Sequence, residues 1–142
     1  MRIQLPKGVK KTPQRLAIIK CLEGNKGHPS AEDIYREVRR DFPTMSLATV
    51  YNTLDALKEH GYVFQLSVDP KRKRYDPDTS PHHHLICSRC KRIVDIHRDF
   101  DIHLPEPFKK GYKLLGSHIE FYGICPTCKG SKEEKDDKKR VK

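Results

Sequence analysis

Residues 82–90 read His82-His83-His84-Leu85-Ile86-Cys87-Ser88-Arg89-Cys90, and residues 125–128 read Cys125-Pro126-Thr127-Cys128. The two CxxC pairs are separated by 34 intervening residues. Each CxxC turn lets two thiolates reach one ion from a tight loop, and two such turns can clamp a small domain onto a tetrahedral zinc. A closed four-sulfur site has no open position for water, so this metal is expected to be structural and to supply folding energy. The competing readings are a disulfide pair, a redox dithiol and an iron–sulfur cluster, although nothing nearby has the spacing of cluster proteins. The fifth cysteine, Cys21, falls within a helical apolar pattern and reads as a small buried residue.

The histidine run carries different chemistry. Alternate residues on a strand share a face, so His82 and His84 can point together while His83 points away. Asp95, on the strand expected after the first knuckle, can come alongside them, and Asp76 can reach from the preceding junction. Such nitrogen and oxygen donors suit iron, manganese, zinc, nickel or cobalt. The alternative is a solvated histidine run of no consequence. Spacing alone does not make ligands of His28, His97, His103 or His118.

Upstream, Thr12-Pro13 is a helix start, with Leu16, Ile19 and Leu22 on one face and Gly24-Asn25 as the stop. Ser30 caps a second helix whose inner side is Ala31, Ile34, Tyr35 and Val38, with Asp33 where a capping-box acid belongs. Ser46 starts a third, with Leu47, Val50, Leu54 and Leu57 facing one way, Thr53 on another face, and Gly61 placed to end it. A strand over Tyr62–Val68, a basic turn over Asp69–Lys73 and a return strand through Arg74-Tyr75 complete the order of a winged helix-turn-helix.

Residues 1–76 therefore read as a winged-helix domain, 77–81 as a Pro-rich hinge, and 82–129 as a second small α/β domain. In the latter, strands are expected at His84–Cys87, Arg92–His97, Tyr112–Leu115 and His118–Ile124, with a helical segment over Asp99–Lys110 interrupted by Pro105 and Pro107. Residues 130–142 read as a disordered charged tail.

The net charge of +10 favours a polyanionic partner, and it is spread over both halves: 15 basic and 10 acidic side chains lie in the first eighty residues. No apolar run approaches the roughly 20 residues of a membrane span, and the first residues lack a signal-type stretch, so a cytoplasmic protein with no membrane partner is expected. In that compartment disulfides rarely persist, which favours thiolate ligands. No paired acids or nucleophile arrangement points to an enzyme.

Thr12-Pro13-Gln14-Arg15, His28-Pro29-Ser30-Ala31-Glu32-Asp33-Ile34-Tyr35, Ser46–Leu57 with Ala48-Thr49-Val50-Tyr51, and the two knuckles together resemble the ferric uptake regulator (Fur) family of metal-dependent transcription factors, from Thr12 to Cys128. The resemblance implies a winged-helix domain, an α/β dimerisation domain and a homodimer that represses promoters by binding operator DNA. It matches Cys87, Cys90, Cys125 and Cys128 to structural Zn2+ ligands, and His28, Asp76, His82, His84 and Asp95 to a regulatory site. The two aspartates, and Asn52 after Tyr51, look most like the peroxide-stress branch (PerR).

In that branch Fe2+ reacts with hydrogen peroxide, a ligand histidine is oxidised (His28 or His84 here), and DNA is released, whereas a Mn2+-loaded form responds poorly. The alternatives are an iron- or zinc-responsive repressor of the same family and a non-regulatory zinc-binding protein. His83 and His118 could form a further site, incomplete because Pro81 stands where some members carry histidine. Lys91 replaces a usual glycine and implies a different turn.

The helix from Ser46 is the expected recognition helix, with Ser46, Thr49, Tyr51 and Asn52 as DNA-contact candidates. Arg15 and the wing residues Lys71, Arg72, Lys73 and Arg74 read as phosphate or minor-groove contacts.

Overall fold

The computed structural model describes residues 3–130; the tail expected to be disordered lies, from residue 131, outside them. The chain forms two compact units divided after Ser80.

The first unit contains α1 (Pro13–Leu22), α2 (Ala31–Val38), α3 (Leu47–Glu59) and an antiparallel pair, β1 (Phe64–Asp69) and β2 (Arg72–Asp76). Each helix begins where a side chain satisfies its free amides. Thr12 Oγ1 accepts from the Arg15 N–H at 3.2 Å, and Ser46 Oγ accepts from the Thr49 N–H at 3.2 Å. At α2 the cap is reciprocal: Ser30 Oγ accepts from the Asp33 N–H at 3.1 Å while the Asp33 carboxylate accepts from the Ser30 N–H at 3.0 Å. The helix α3 ends with Gly61 at φ 76. There the Tyr62 N–H donates to the Leu57 carbonyl at 2.9 Å and the Gly61 N–H to Lys58 at 3.0 Å, a Schellman closure. That closure occupies Tyr62, so β1 starts at Phe64 rather than at the expected Tyr62.

The core interlocks Ile18, Ile19 and Leu22 with Ala31, Ile34 and Val38, with Val50, Leu54 and Leu57, and with Tyr75 from β2. The inner face of α1 is rotated from the expected one: Leu16 is 49% exposed and Ile18 is fully buried. Leu16 to Ile19 is apolar on every side, so the neighbouring helices rather than periodicity choose the phase. Thr53 also faces inward, its hydroxyl donating to the Thr49 carbonyl at 2.7 Å. The hairpin turn is shorter than Asp69–Lys73. Pairing resumes at Arg72, and the Asp69 carboxylate accepts from the Lys71 N–H at 3.0 Å to close the reversal.

The second unit contains β3 (His83–Cys87), β4 (Ile93–Ile96), α4 (Glu106–Lys109), β5 (Glu120–Gly123) and α5 (Pro126–Lys129). Its sheet order is β4-β3-β5, with β4 antiparallel and β5 parallel to β3. The segment expected to be helical over Asp99–Lys110 is helical only at Glu106–Lys109; Pro105 disfavours the helical region at Leu104 before it, whereas Pro107 sits in the first turn, where its missing N–H costs nothing. Tyr112–Leu115 is not a strand; the Tyr112 N–H turns back onto the Lys109 carbonyl at 2.9 Å. Among the described residues no helix is long and apolar enough to cross a membrane.

Asp33 sums up the local logic of the first unit. Burial pushes its carboxyl up, but the Ser30 donors and the Arg72 and Arg36 guanidiniums outweigh this and hold it below its ordinary value of 3.8. A depressed carboxylate stabilises the fold fully above that ordinary value, and the contribution is lost as pH falls through the lower folded value. Asp33→Asn is therefore expected to cost about 1 kcal/mol in urea unfolding at pH 7. The gap from the parent should shrink steadily below pH 3.8.

Candidate metal centres and nucleic-acid surface

The four knuckle cysteines come together within the second unit. Cys87 ends β3 and Cys125 caps α5, where its sulfur accepts from the Cys128 N–H at 3.5 Å. Cys87 Sγ accepts from the Cys90 N–H at 3.5 Å and the Cys125 N–H at 3.3 Å. One sulfur from each of the four residues lies within 4.8 Å of the others. Cys90 Sγ and Cys125 Sγ are 3.7 Å apart. Tetrahedral zinc with Zn–S bonds of ~2.3 Å sets its sulfurs about 3.8 Å apart, whereas a disulfide needs ~2.05 Å. All five cysteines are free thiols, so the donor set fits a closed Zn2+ site.

Burial opposes ionisation of Cys87, but N–H donors from Cys125, Cys90 and Arg89 bring it down to about 6. The Cys128 N–H lowers Cys125, and the hydrogen bond with Cys125 pushes Cys128 up to about 12. Thiols sharing protons in this way exchange them for a dication. Arg89 adds a tie unseen in the sequence, its Nη1 donating to the Cys128 carbonyl at 2.6 Å across the two knuckles. Lys91 closes the first knuckle with a left-handed residue. It adopts φ 64, the left-handed conformation that glycine takes without the ~1–2 kcal/mol penalty of a side chain.

The nitrogen and oxygen donors are distributed over both units. In the first, His28 is fully buried at φ 50, and its Nε2 lies 3.3 Å from Asp76 Oδ2. In the second, the pleat turns His84 toward Asp95, its register partner on β4. Asp95 Oδ1 lies 3.2 Å from His82 Nε2 and 3.4 Å from His84 Nε2. Both imidazoles are buried. His83 points elsewhere, accepting from the Ile119 N–H at 2.8 Å. His118 sits 3.4 Å from Glu120. Among the described residues neither His83 nor His118 joins a cluster of three or more metal donors. His97, unassigned from spacing, stacks on His82 with ring centroids 4.9 Å apart.

On α3, Ser46 and Asn52 are exposed and Thr49 is half-buried beside Ser46, 3.0 Å between hydroxyls. Tyr51 donates to Glu32 Oε1 at 2.6 Å, and this hydrogen bond, with some burial, pushes the phenol up to about 12. Arg15 donates to the Lys10 carbonyl at 2.8 Å. The basic turn sorts into two kinds of residue. Lys71 and Lys73 are exposed, whereas Arg72 is paired to Asp33 and Arg74 is turned onto the loop before α2. Alternation along β2 puts Lys73 on the opposite face from Arg72 and Arg74.

The sequence matches the ferric uptake regulator family over residues 6–122. The peroxide operon regulator of Bacillus subtilis (strain 168) is 40% identical over 129 residues, covering 89% of this chain and 88% of that relative. The peroxide stress regulator of Campylobacter jejuni superposes with a TM-score of 0.61 at 29% identity, covering 82% of this chain and 89% of that one. The Helicobacter pylori ferric uptake regulator shares the fold, with a TM-score of 0.69 at 24% identity over 88% of this chain and 85% of that one.

Two outcomes follow for the thiols. Cys87→Ser is expected to abolish stoichiometric zinc and to remove amide-exchange protection from β3, β4 and β5, whereas His28→Ala should leave zinc content unchanged. Burial, then the hydrogen bond to Glu37 at 3.2 Å, pushes the Cys21 thiol up to about 12. Since the thiolate is the reacting form, iodoacetamide at pH 8 should modify Cys21 at least about tenfold more slowly than a free thiol.

Proposed function

Because this chain belongs to the ferric uptake regulator family, we propose that it is a metal-dependent transcriptional repressor that binds operator DNA as a homodimer and senses hydrogen peroxide. The observation that carries this reading is the pair of buried imidazoles, His82 and His84, meeting one carboxylate, Asp95, in a set distinct from the sulfur-only cluster. The likeness to the B. subtilis peroxide operon regulator supports the peroxide branch. In this reading Cys87, Cys90, Cys125 and Cys128 hold a structural zinc. His28 and Asp76 from the first unit and His82, His84 and Asp95 from the second hold the regulatory ion, ferrous iron or manganese.

A bound ferrous ion would supply the electron that cleaves hydrogen peroxide beside a ligand histidine. The chain's own contribution is to bury His28 and His84, so that oxidation falls on a ligand rather than on solvent-exposed groups. Drawing ligands from both units makes occupancy sensitive to their arrangement, and an ion shifts that population only by its preference for one arrangement. The first unit acts as a winged helix, with α3 entering the major groove. Ser46, Thr49, Tyr51 and Asn52 lie along it, and Lys71 and Lys73 meet phosphates. The homodimer is supported by exposed apolar side chains of the second unit, Phe108, Tyr112 and Leu115 among them.

The test uses a DNA fragment selected from a random pool by the manganese-loaded protein. Low peroxide should release it from the ferrous protein and leave the manganese protein bound. The ferrous protein should gain about 16 daltons, one oxygen atom, on His28 or His84. Retained binding with unmodified histidines, and a response only to metal concentration, would replace this reading with an iron- or zinc-level sensor of the same family.

A further inference from the structure

We propose that Arg74, on the wing strand, is a positioning residue for the regulatory metal site, gripping the His28 loop rather than a DNA phosphate. The proposal rests on the reading that His28 and Asp76 are ligands.

Residues 74 and 76 project from the same face of β2, and that face meets the loop between α1 and α2. Arg74 Nε donates to the His28 carbonyl, and Arg74 Nη2 donates to the Gly27 carbonyl at 2.9 Å. One residue further on, the Tyr75 N–H donates to the Pro29 carbonyl at 2.9 Å, and Ser30 bridges to Arg74 in antiparallel fashion. Asp76 then meets the His28 ring at 3.3 Å. A single strand thus holds His28 at its backbone through Arg74 and at its imidazole through Asp76.

The backbone grip has a specific task. His28 sits at φ 50, a conformation that a side chain other than glycine adopts only when its surroundings impose it. If the carbonyls on either side of that residue were released, the peptide could relax to negative φ and swing the imidazole off Asp76. The guanidinium suits this task because its planar fork reaches two carbonyls at once, which an ammonium cannot do with the same fixed geometry. Partners that orient a ligand are worth about 10- to 100-fold in metal affinity. Holding Nε and Nη2 on two loop carbonyls fixes the guanidinium on the His28 loop, which separates Arg74 from the exposed Lys71 and Lys73 on the same turn.

The experiment titrates Co2+ into zinc-loaded, DNA-free protein for the parent, Arg74→Gln, Arg74→Lys and His28→Ala. Ligand-field bands report the nitrogen and oxygen site, and thiolate charge-transfer bands would reveal exchange at the cysteines. Arg74→Gln is expected to bind Co2+ at least about tenfold more weakly, with altered ligand-field bands but parental zinc content and helical circular dichroism. Arg74→Lys should recover part of the affinity. Parental Co2+ affinity and spectrum in Arg74→Gln, with DNA binding weakened and its salt dependence reduced, would overturn the proposal and make Arg74 a phosphate contact. Should Arg74→Gln fail to fold, Arg74→Lys decides, and parental affinity there overturns the proposal. Parental affinity in His28→Ala would instead overturn the ligand assignment itself, an outcome distinct from failure of Arg74 alone.

Discussion

Four sulfurs gathered within 4.8 Å of one another are the constraint around which the second unit is arranged. Its described residues contribute only Ile86, Cys87 and Ile93 to the buried apolar set, whereas the main core belongs entirely to the first unit. A three-stranded sheet with so little apolar burial needs another source of stability, and in the proposed reading a metal held by the four sulfurs would supply it by joining sequence-distant turns. The knuckles are placed for this purpose. Cys87 terminates the central strand and Cys125 lies two residues beyond the parallel strand that pairs with it, so the cluster sits at one end of the sheet. Arg89, its side chain reaching the Cys128 carbonyl, binds the second knuckle to the first.

The first unit achieves its order by different means. Side-chain caps settle where its helices begin, a dry core settles their faces, and the strand β2 ties the loop before α2 to the hairpin. That tie is why a histidine with no helix or strand of its own is among the most buried residues of the chain. Charged side chains that would otherwise crowd the hairpin are used internally: Arg72 completes the environment of Asp33, and Arg74 satisfies loop carbonyls. The exposed positive charge on this turn is left to lysines, which suit phosphate attraction without demanding a fixed geometry.

Separating sulfur chemistry from nitrogen and oxygen chemistry gives the proposed repressor its logic. In this reading the soft thiolates would retain a structural ion that does not need to leave. Imidazoles and carboxylates bind first-row dications with less commitment, so a signal can act on them while the fold stays intact. The strand β3 carries both, His84 toward Asp95 and Cys87 toward the knuckles, only three residues apart.

Local chemistry was readable directly from the chain. The CxxC turns, the Thr12, Ser30 and Ser46 caps and the Gly61 stop depend on neighbours within four residues, so their spacing contains the geometry. The pairing of His82 and His84 on one face follows from strand alternation. Where several phases or conformations were locally equivalent, sequence reading went astray: Leu16 against Ile18, Thr53 taken as outward, the helix over Asp99–Lys110, the strand at Tyr112–Leu115. The place of His28 came from family resemblance and not from spacing. Only the tertiary structure decided that Arg74 faces inward, because its partners lie 46 and 47 residues earlier in the chain. A guanidinium is equally suited to a phosphate and to two carbonyls, and which it meets depends on what the fold sets beside it.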